Sequence, residues 1–337
     1  MCDINVISPT DMAEYYSRPH LVPKPPPSTD WRFAIDFRGL NLASGGCGWP
    51  IPNIPQMLQR LGEKKPKFLG KLDFTSGYHQ APLAAEARIY TAFITFMGTF
   101  VWNRVPMGIK RAGGWFQAML VTVVFCGLIY LICELYIDDL IIHAQTEDEF
   151  CQRLDQVLSR LQARGITVNP EKCLLGVKSL EFVGHTISED GLHFTRDKIE
   201  KVLQIPEPTV GKQLKSFLGV AVWFIEHIEG YSELARPLHQ MLKDYDKSRA
   251  LKWTDEGRTA FHKIKEAINN CPMLYFIDDT SPIFVETDAS DYGVGGVCYQ
   301  VIDGKRRYIA FVSHSLSKDG EINWSVPHKR CMASFTR

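Results

Sequence analysis

The chain has 337 residues, enough at roughly 150 residues per domain for about two domains, each with a core of its own. Hydrophobic residues make up 45% and charged residues 23%, with no low-complexity tract, which excludes a disordered chain and a small stapled scaffold. Thirty-eight basic residues balance thirty-eight acidic ones. That balance argues against a chain whose only task is wrapping a polyanion, while leaving local patches open.

The nine cysteines are scattered, with no C-x-x-C pair and no Cys/His cluster at zinc spacing. Neither a disulfide framework nor a structural zinc is expected, and a reducing compartment is the default. The start, Met1 to Val6, shows no basic region followed by an apolar one, so no secretory leader is expected there.

In chain order, Pro23, Pro25, Pro26 and Pro27 precede a strand pattern at Trp31 to Phe37, and the glycine-rich stretch 44–50 reads as a loop. This loop-rich start reads as beginning inside a domain. A buried strand is expected at Phe68 to Asp73, and two strands at Tyr90 to Phe96 and Thr99 to Trp102, turning about Gly98. Residues Ala118 to Ile137 are almost wholly apolar and approach the roughly 20 residues that span a bilayer. Glu134, Asp138 and Asp139 count against a span, and a buried helix running into a buried strand is the better reading.

Leu135 to His143 carries two apolar β-prone runs flanking two aspartates, the pattern of a tight hairpin with carboxylates at its tip. Thr146 with Glu149 forms a capping box, and Phe150, Leu154, Val157, Leu158 and Leu161 recur at helical spacing until Gly165. Helices are expected at Arg196 to Leu203, Lys212 to Ile228 and Thr254 to Ile268, with a charged stretch at Lys243 to Arg249. From Ile283 the period changes to strands, at Ile283 to Asp288, Val294 to Gln300 and Arg307 to His314, with turns containing Gly293 and Gly304. A second α/β domain therefore begins near residue 280.

Adjacent carboxylates hemmed in by Leu, Ile and Tyr are costly, because like charges repel and burial disfavours ionisation. A divalent cation resolves the conflict: Mg²⁺ takes a few carboxylate oxygens together with substrate phosphates and water. Two such ions can clamp the attacking and leaving oxygens of a phosphoryl transfer. Asp73, at the end of its strand, is the candidate third carboxylate for Asp138 and Asp139. Asp-Asp is also a common turn pair, and the chain holds a second copy at Phe276 to Asp279. That copy leads into Thr280-Ser281-Pro282 with no apolar strand returning directly after it, and reads as an ordinary solvated turn.

Six segments stand in order: Trp31 to Asn41, Leu72 to Gln80, Thr91 to Thr95, Tyr136 to Asp139, Asn169 to Cys173 and Phe182 to Ser188. Together they closely resemble the reverse transcriptases of Ty3/gypsy-type LTR retrotransposons. Leu214 to Gly219 and Val285 to Ser290 resemble that family's thumb and ribonuclease H regions, so the likeness covers nearly the whole chain.

The resemblance implies an α+β, right-hand polymerase of fingers, palm and thumb, with a connection and a truncated ribonuclease H-like α/β domain. Residues 1–190 would be fingers and palm, 191–270 thumb and connection, and 271–337 the ribonuclease H-like part. Asp73, Asp138 and Asp139 would be the catalytic triad holding two Mg²⁺, with Mn²⁺ as an alternative. Arg32 would meet the incoming triphosphate, as charge-assisted guanidinium bonds suit. Tyr78 would lie beneath the sugar and exclude the 2′-hydroxyl that distinguishes the two nucleotide types. Met107 and Gln117 belong to the segment beside the nascent base pair, and Phe182, Val183, Gly184 and His185 match the primer grip. For Arg32 a surface salt bridge, and for Tyr78 a core packing role, are the competing readings. The implied partners are an RNA template, a DNA or RNA primer and dNTPs, without a membrane. The implied setting is intracellular, in cytoplasmic particles or the nucleus.

The chain departs from the family pattern at Met107, Arg111 and Gly113, and Ile225 and Glu226 stand where paired arginines are usual. Asp288 matches the first ribonuclease H carboxylate, but Arg330 aligns with the usual Glu and the remaining aspartates are not reached. No ribonuclease H activity is expected. RNA-directed DNA polymerisation is the leading function, and a decayed or domesticated fragment that only binds nucleic acid is its rival. Charge is also unevenly placed: residues 60–111 hold nine basic and three acidic side chains, whereas 112–150 hold six acidic and no basic ones. A basic stretch suited to phosphates thus adjoins an acidic one suited to metal ions.

Overall fold

The structure, a computed structural model, describes residues 1–24, 29–46, 48–243, 250–289 and 293–316. The chain divides into two units, Met1–Val183 and Gly184–Arg337.

In the first unit, β1 (Ile7–Pro9), β2 (Tyr16–Pro23) and β3 (Trp31–Asp36) are followed by α1 (Arg38–Ala43), α2 (Ile54–Glu63) and β4 (Phe68–Asp73). Asn53 caps α2 by accepting from the Gln56 N–H, with a proline in the first turn, as helix starts favour. Short helices α3 (Gly77–Gln80) and α4 (Ala85–Arg88) lead to β5 (Ala92–Thr95) and β6 (Gly98–Trp102). These two form the expected hairpin about Gly98, whose φ is +122°. One sheet has the order β1-β6-β5-β2-β3.

Next come α5 (Ala112–Met119), β7 (Cys133–Tyr136), β8 (Asp139–Ala144), α6 (Glu147–Ala163), β9 (Leu174–Val177) and β10 (Ser179–Phe182). The apolar stretch 118–137 is divided among the end of α5, a π-helical turn at Leu120–Val124, loops, and β7. Among the described residues no helix is long and apolar enough to cross a membrane. The capping box is present: the Thr146 hydroxyl accepts from the Glu149 N–H at 3.2 Å, while the Glu149 carboxylate accepts from the Gln145 N–H at 2.8 Å.

A second sheet has the antiparallel order β7-β8-β4-β9. Period-2 alternation sends Leu72, Leu135, Leu140 and Ile142 into a core with Phe150, Val157 and Leu161 of α6 and Phe116 of α5. Gly70 admits α6 closely, since a Cβ there would lie 2.7 Å from the Phe150 ring. The strand that ends in Asp73 is thereby packed closely against α6.

The second unit opens with β11 (His185–Ser188) and β12 (Gly191–Phe194), then α7 (Arg196–Leu203), α8 (Gly211–Ala221), α9 (Tyr231–Met241) and α10 (Asp255–Asn269). The helix expected over 212–228 stops at Ala221 and continues as a 3₁₀ stretch, Val222–His227. Helix α9 is not among the sequence expectations and carries Pro237 within it. Leu214, Phe217, Leu238, Phe261 and Ile264 fill the helical core. After β13 (Leu274–Tyr275), strands β14 (Ile283–Ala289), β15 (Gly293–Ile302) and β16 (Lys305–Ser315) form an antiparallel sheet. Asp303 and Gly304, at φ +53° and +72°, make the tight turn between the last two. Pro25 to Pro27, residues 244–249 of the charged stretch, Ser290, and Arg330 with its neighbours lie outside the described residues.

Candidate active site

Strand register assembles the carboxylates. In the β4–β8 ladder Asp73 stands directly opposite Asp139, and in the β7–β8 ladder Tyr136 stands opposite Asp139, leaving Ile137-Asp138 as a two-residue turn. Directly opposed residues bring their Cβ atoms to about 5 Å. The Asp138 carboxyl is held above the usual carboxylate range, first by partial enclosure and then by the charges of Asp139 and Asp73.

Two lysines answer this negative charge. Lys71, two residues before Asp73 on the same face of β4, meets the Asp139 carboxylate at 2.8 Å. Lys172 approaches Asp73 at 3.7 Å. Its turn is placed by Asn169, whose N–H donates to the Asp73 carbonyl at 2.8 Å, which gives the Asn169 to Cys173 segment a physical role. Lys172 belongs to the Asn169 to Cys173 segment, whereas the only sequence signal for Lys71 is its two-residue offset from Asp73.

Tyr78, on α3, packs at a tilt against Phe116 with ring centroids 5.1 Å apart. Its hydroxyl lies 3.6 Å from where a Cβ at Gly113 would sit, and its pKa is raised by burial and then by the Asp138 charge. Tyr78 is thus half-buried and feels the charge of Asp138. Gln80 secures the neighbouring loop, donating to the Thr75 and Thr167 carbonyls at 2.6 and 2.9 Å and accepting from the Thr167 N–H at 2.7 Å.

Gln117 is 1% exposed and turns inward to the hairpin backbone rather than toward an open surface. Its amide donates to the Leu135 carbonyl at 3.2 Å and accepts from the Ile137 N–H at 2.5 Å. In the adjoining strand, buried Glu134 accepts two bonds from Arg60, at 3.0 and 2.8 Å. Arg60 and Lys71 therefore spend part of the basic stretch on neutralising the acidic one.

Arg32 is exposed on β3, opposite Val22, and has no ion-pair partner among the described residues. Met107 is 50% exposed. Its loop is held by Asn41, which donates to the Gly108 carbonyl at 2.8 Å and accepts from the Lys110 N–H at 2.7 Å. Among the described residues no hydrogen bond or ion pair joins Arg32 or Met107 to the carboxylates. Arg111 donates to the Gly45 carbonyl at 2.8 Å.

Of the four residues expected to form the primer grip, Phe182 and His185 are buried, while Val183 and Gly184 take left-handed φ values of +48° and +79°. His185 packs on Phe194 at 4.7 Å. Ile225 is partly buried in the helical core and Glu226 is exposed. Asp288 is exposed on β14, opposite Gly295. The second Asp-Asp copy is a self-capped turn: Asp278 accepts from the Thr280 N–H at 3.1 Å and from the Thr280 and Ser281 hydroxyls at 2.9 and 3.2 Å.

The three neighbouring carboxylates, an all-oxygen set, fit a hard divalent cation in their donor chemistry. Lysines engage two of them, and among the described residues no three His, Cys, Asp or Glu side chains are gathered as a metal cluster.

Residues 22–187 match the family model described as reverse transcriptase (RNA-dependent DNA polymerase), and residues 253–336 match the RNase H-like domain found in reverse transcriptase. The chain belongs to the reverse transcriptases. Its relatives place it with the Pol polyproteins of gypsy-type LTR retrotransposons. It is 32% identical over 319 residues to the Pol polyprotein from transposon opus of Drosophila melanogaster, covering 92% of this chain and 31% of that protein. It is 32% identical over 311 residues to that from transposon gypsy of the same organism, covering 90% and 29%. The Tf2-3 polyprotein of Schizosaccharomyces pombe is 31% identical over 304 residues, covering 90% and 22%. The chain thus spans less than a third of the length of these relatives.

Among solved structures, a foamy viral protease-reverse transcriptase in complex with double-stranded DNA matches with a TM-score of 0.85 at 24% identity, covering 99% of this chain and 57% of that one. The same viral protein in complex with an RNA/DNA hybrid matches at 0.78 and 24% identity, covering 98% and 43%. The shared feature is the fold, the α+β right-hand architecture with an RNase H-like domain.

Proposed function

We propose that this chain is an RNA-directed DNA polymerase, adding dNTPs to a primer 3′-hydroxyl on an RNA template. The observation that carries this reading is the cross-strand pairing of Asp73 with Asp139 beside Asp138 at a two-residue turn. On this reading residues 1–190 are fingers and palm, 191–270 thumb and connection, and 271–337 the ribonuclease H-like part.

Asp73, Asp138 and Asp139 would hold two Mg²⁺, with Mn²⁺ able to replace them. When bound, the cations activate the hydroxyl and neutralise the leaving charge. The primer 3′-hydroxyl gives up its proton to solvent as its oxygen bonds to the α-phosphorus, the α–β phosphoanhydride breaks, and pyrophosphate leaves with the electron pair. Lys71 must release Asp139 for the site to load, and its ammonium is then free beside the phosphates. Arg32, exposed and without an ion-pair partner among the described residues, suits the triphosphate. Tyr78, packed on Phe116 and within the influence of the Asp138 charge, limits the space beneath the sugar, with Met107 on the loop held by Asn41. The Val183-Gly184 turn offers backbone to the primer.

The rival, a fragment that binds nucleic acid without catalysis, draws on the Lys71–Asp139 pair and on exposed Glu226. Primer extension on an RNA template with Mg²⁺ and dNTPs, comparing wild type with Asp138→Asn, separates the two. Complementary DNA from wild type alone supports the polymerase. Equal product from both, or none from either, refutes it.

A further inference from the structure

We infer that Gln117 is the positioning residue of the carboxylate hairpin, an amide clamp on the strained turn that presents Asp138 and Asp139. This rests on the polymerase reading above. Joining Tyr136 to Asp139 through two residues demands a tight loop, and such loops put a left-handed φ at their first central position, usually with Gly or Asn there. Here that position is Ile137, at φ +57°. A β-branched side chain disfavours this region strongly, so surrounding structure must hold the turn.

Gln117 is placed to do so. Its Oε1 accepts from the Ile137 N–H at 2.5 Å and its Nε2 donates to the Leu135 carbonyl at 3.2 Å, so one planar amide bridges the chain on both sides of Tyr136. Gln117 is 1% exposed, its bond to Leu135 is buried and that to Ile137 part-buried, so losing the amide leaves two poorly solvated backbone groups unpaired beside the turn. The clamp is itself anchored. The preceding residue on α5, Phe116, packs edge-on against Phe74 at 6.2 Å and tilted against Tyr78 at 5.1 Å. The chain therefore runs from a core-locked helix, through one amide, to the angle at which two carboxylates leave the sheet. Gln117 acts on the reacting groups through the turn, with no surface of its own for substrate.

The test replaces Gln117→Met, which keeps length and apolar packing but neither donor nor acceptor, alone and together with Ile137→Gly, which removes the strain. Both are read in the full chain, with thermal melting to verify folding. Hydrogen exchange at the Ile137 amide should accelerate at least about tenfold in Gln117→Met. Primer extension should lose about 10–100-fold in kcat, the range for groups that orient metal-holding residues. The KM for dNTP should stay within about twofold. In the Ile137→Gly background the same substitution should cost less than about fivefold, because the two sites are coupled through the turn. Unchanged Ile137 exchange, equal losses in both backgrounds, or a loss confined to KM would overturn the clamp. Should wild type extend no primer, the polymerase reading fails, and Ile137 exchange alone then decides for or against the clamp.

Discussion

Ile137-Asp138-Asp139 and Ile277-Asp278-Asp279 are the same tripeptide in two settings. In the first, apolar strands run into and out of the turn, and the β4–β8 register imports a third carboxylate, Asp73, from a residue far away in sequence. The charges exceed what the turn itself can satisfy, and lysines from other segments respond. In the second, the Thr280 and Ser281 hydroxyls satisfy Asp278 locally, and its N–H donates to Gln300 at 2.8 Å. Ile137 is held at φ +57°, whereas Ile277 is not among the left-handed residues. The tripeptide becomes a candidate site only where non-local pairing concentrates charge that local hydrogen bonds do not absorb.

That contrast can be broken most directly by substituting each copy. Asp138→Asn should reduce primer extension about a thousandfold, the several kcal/mol that metal-held charge contributes, while Asp278→Asn should stay within about twofold. Comparable losses from both would erase the distinction. A smaller effect is expected where the hairpin is anchored: Arg60→Met leaves Glu134, 2% exposed, without its partner. Because Arg60 is itself partly solvated, we expect a loss of about 2–3 kcal/mol in urea unfolding, below the range for a wholly buried pair.

Gly70→Ala should cost about 2 kcal/mol in the same measurement, since a Cβ 2.7 Å from Phe150 forces β4 and α6 apart. Unfolding free energy unchanged by this substitution would show that the close approach is dispensable.

The buried polar groups extend the comparison. Glu134 is paired, but His227 is 4% exposed with neither ring nitrogen bonded among the described residues. Burial, and then the neighbouring His185 and His193, push its pKa down to about 3. Below about pH 6.5 the unfolded chain takes up a proton that the folded one refuses. Stability should therefore fall with acidity between pH 6.5 and about 3, by at most about 1.4 kcal/mol per pH unit. His227→Leu should flatten that slope and leave stability at pH 7 the same or about 1 kcal/mol higher. An unchanged slope would assign the acid sensitivity elsewhere.

Legibility in the sequence follows the range of the interaction. The Asp138-Asp139 hairpin, the α6 capping box and the strands from Ile283 depend on neighbours a few residues away, and the patterns for them are plain. The facing of Asp73 and Asp139, the Lys71 and Lys172 pairs, and the inward turn of Gln117 depend on strand register and on where α5 docks, which no local pattern encodes. Gln117 could be singled out as a motif member, yet the direction of its amide is a tertiary fact. Helix α9 escapes for a related reason, because packing of Ala235 and Leu238 in the helical core outweighs the cost of Pro237.

The central claim is that the hairpin carboxylates perform templated DNA synthesis. Its most direct test is a time course of primer extension by the wild-type chain on an RNA template with Mg²⁺ and dNTPs, with the product sequenced. The predicted result is DNA complementary to the template, formed only with added Mg²⁺. No extension, or product that forms equally without the cation, would contradict it.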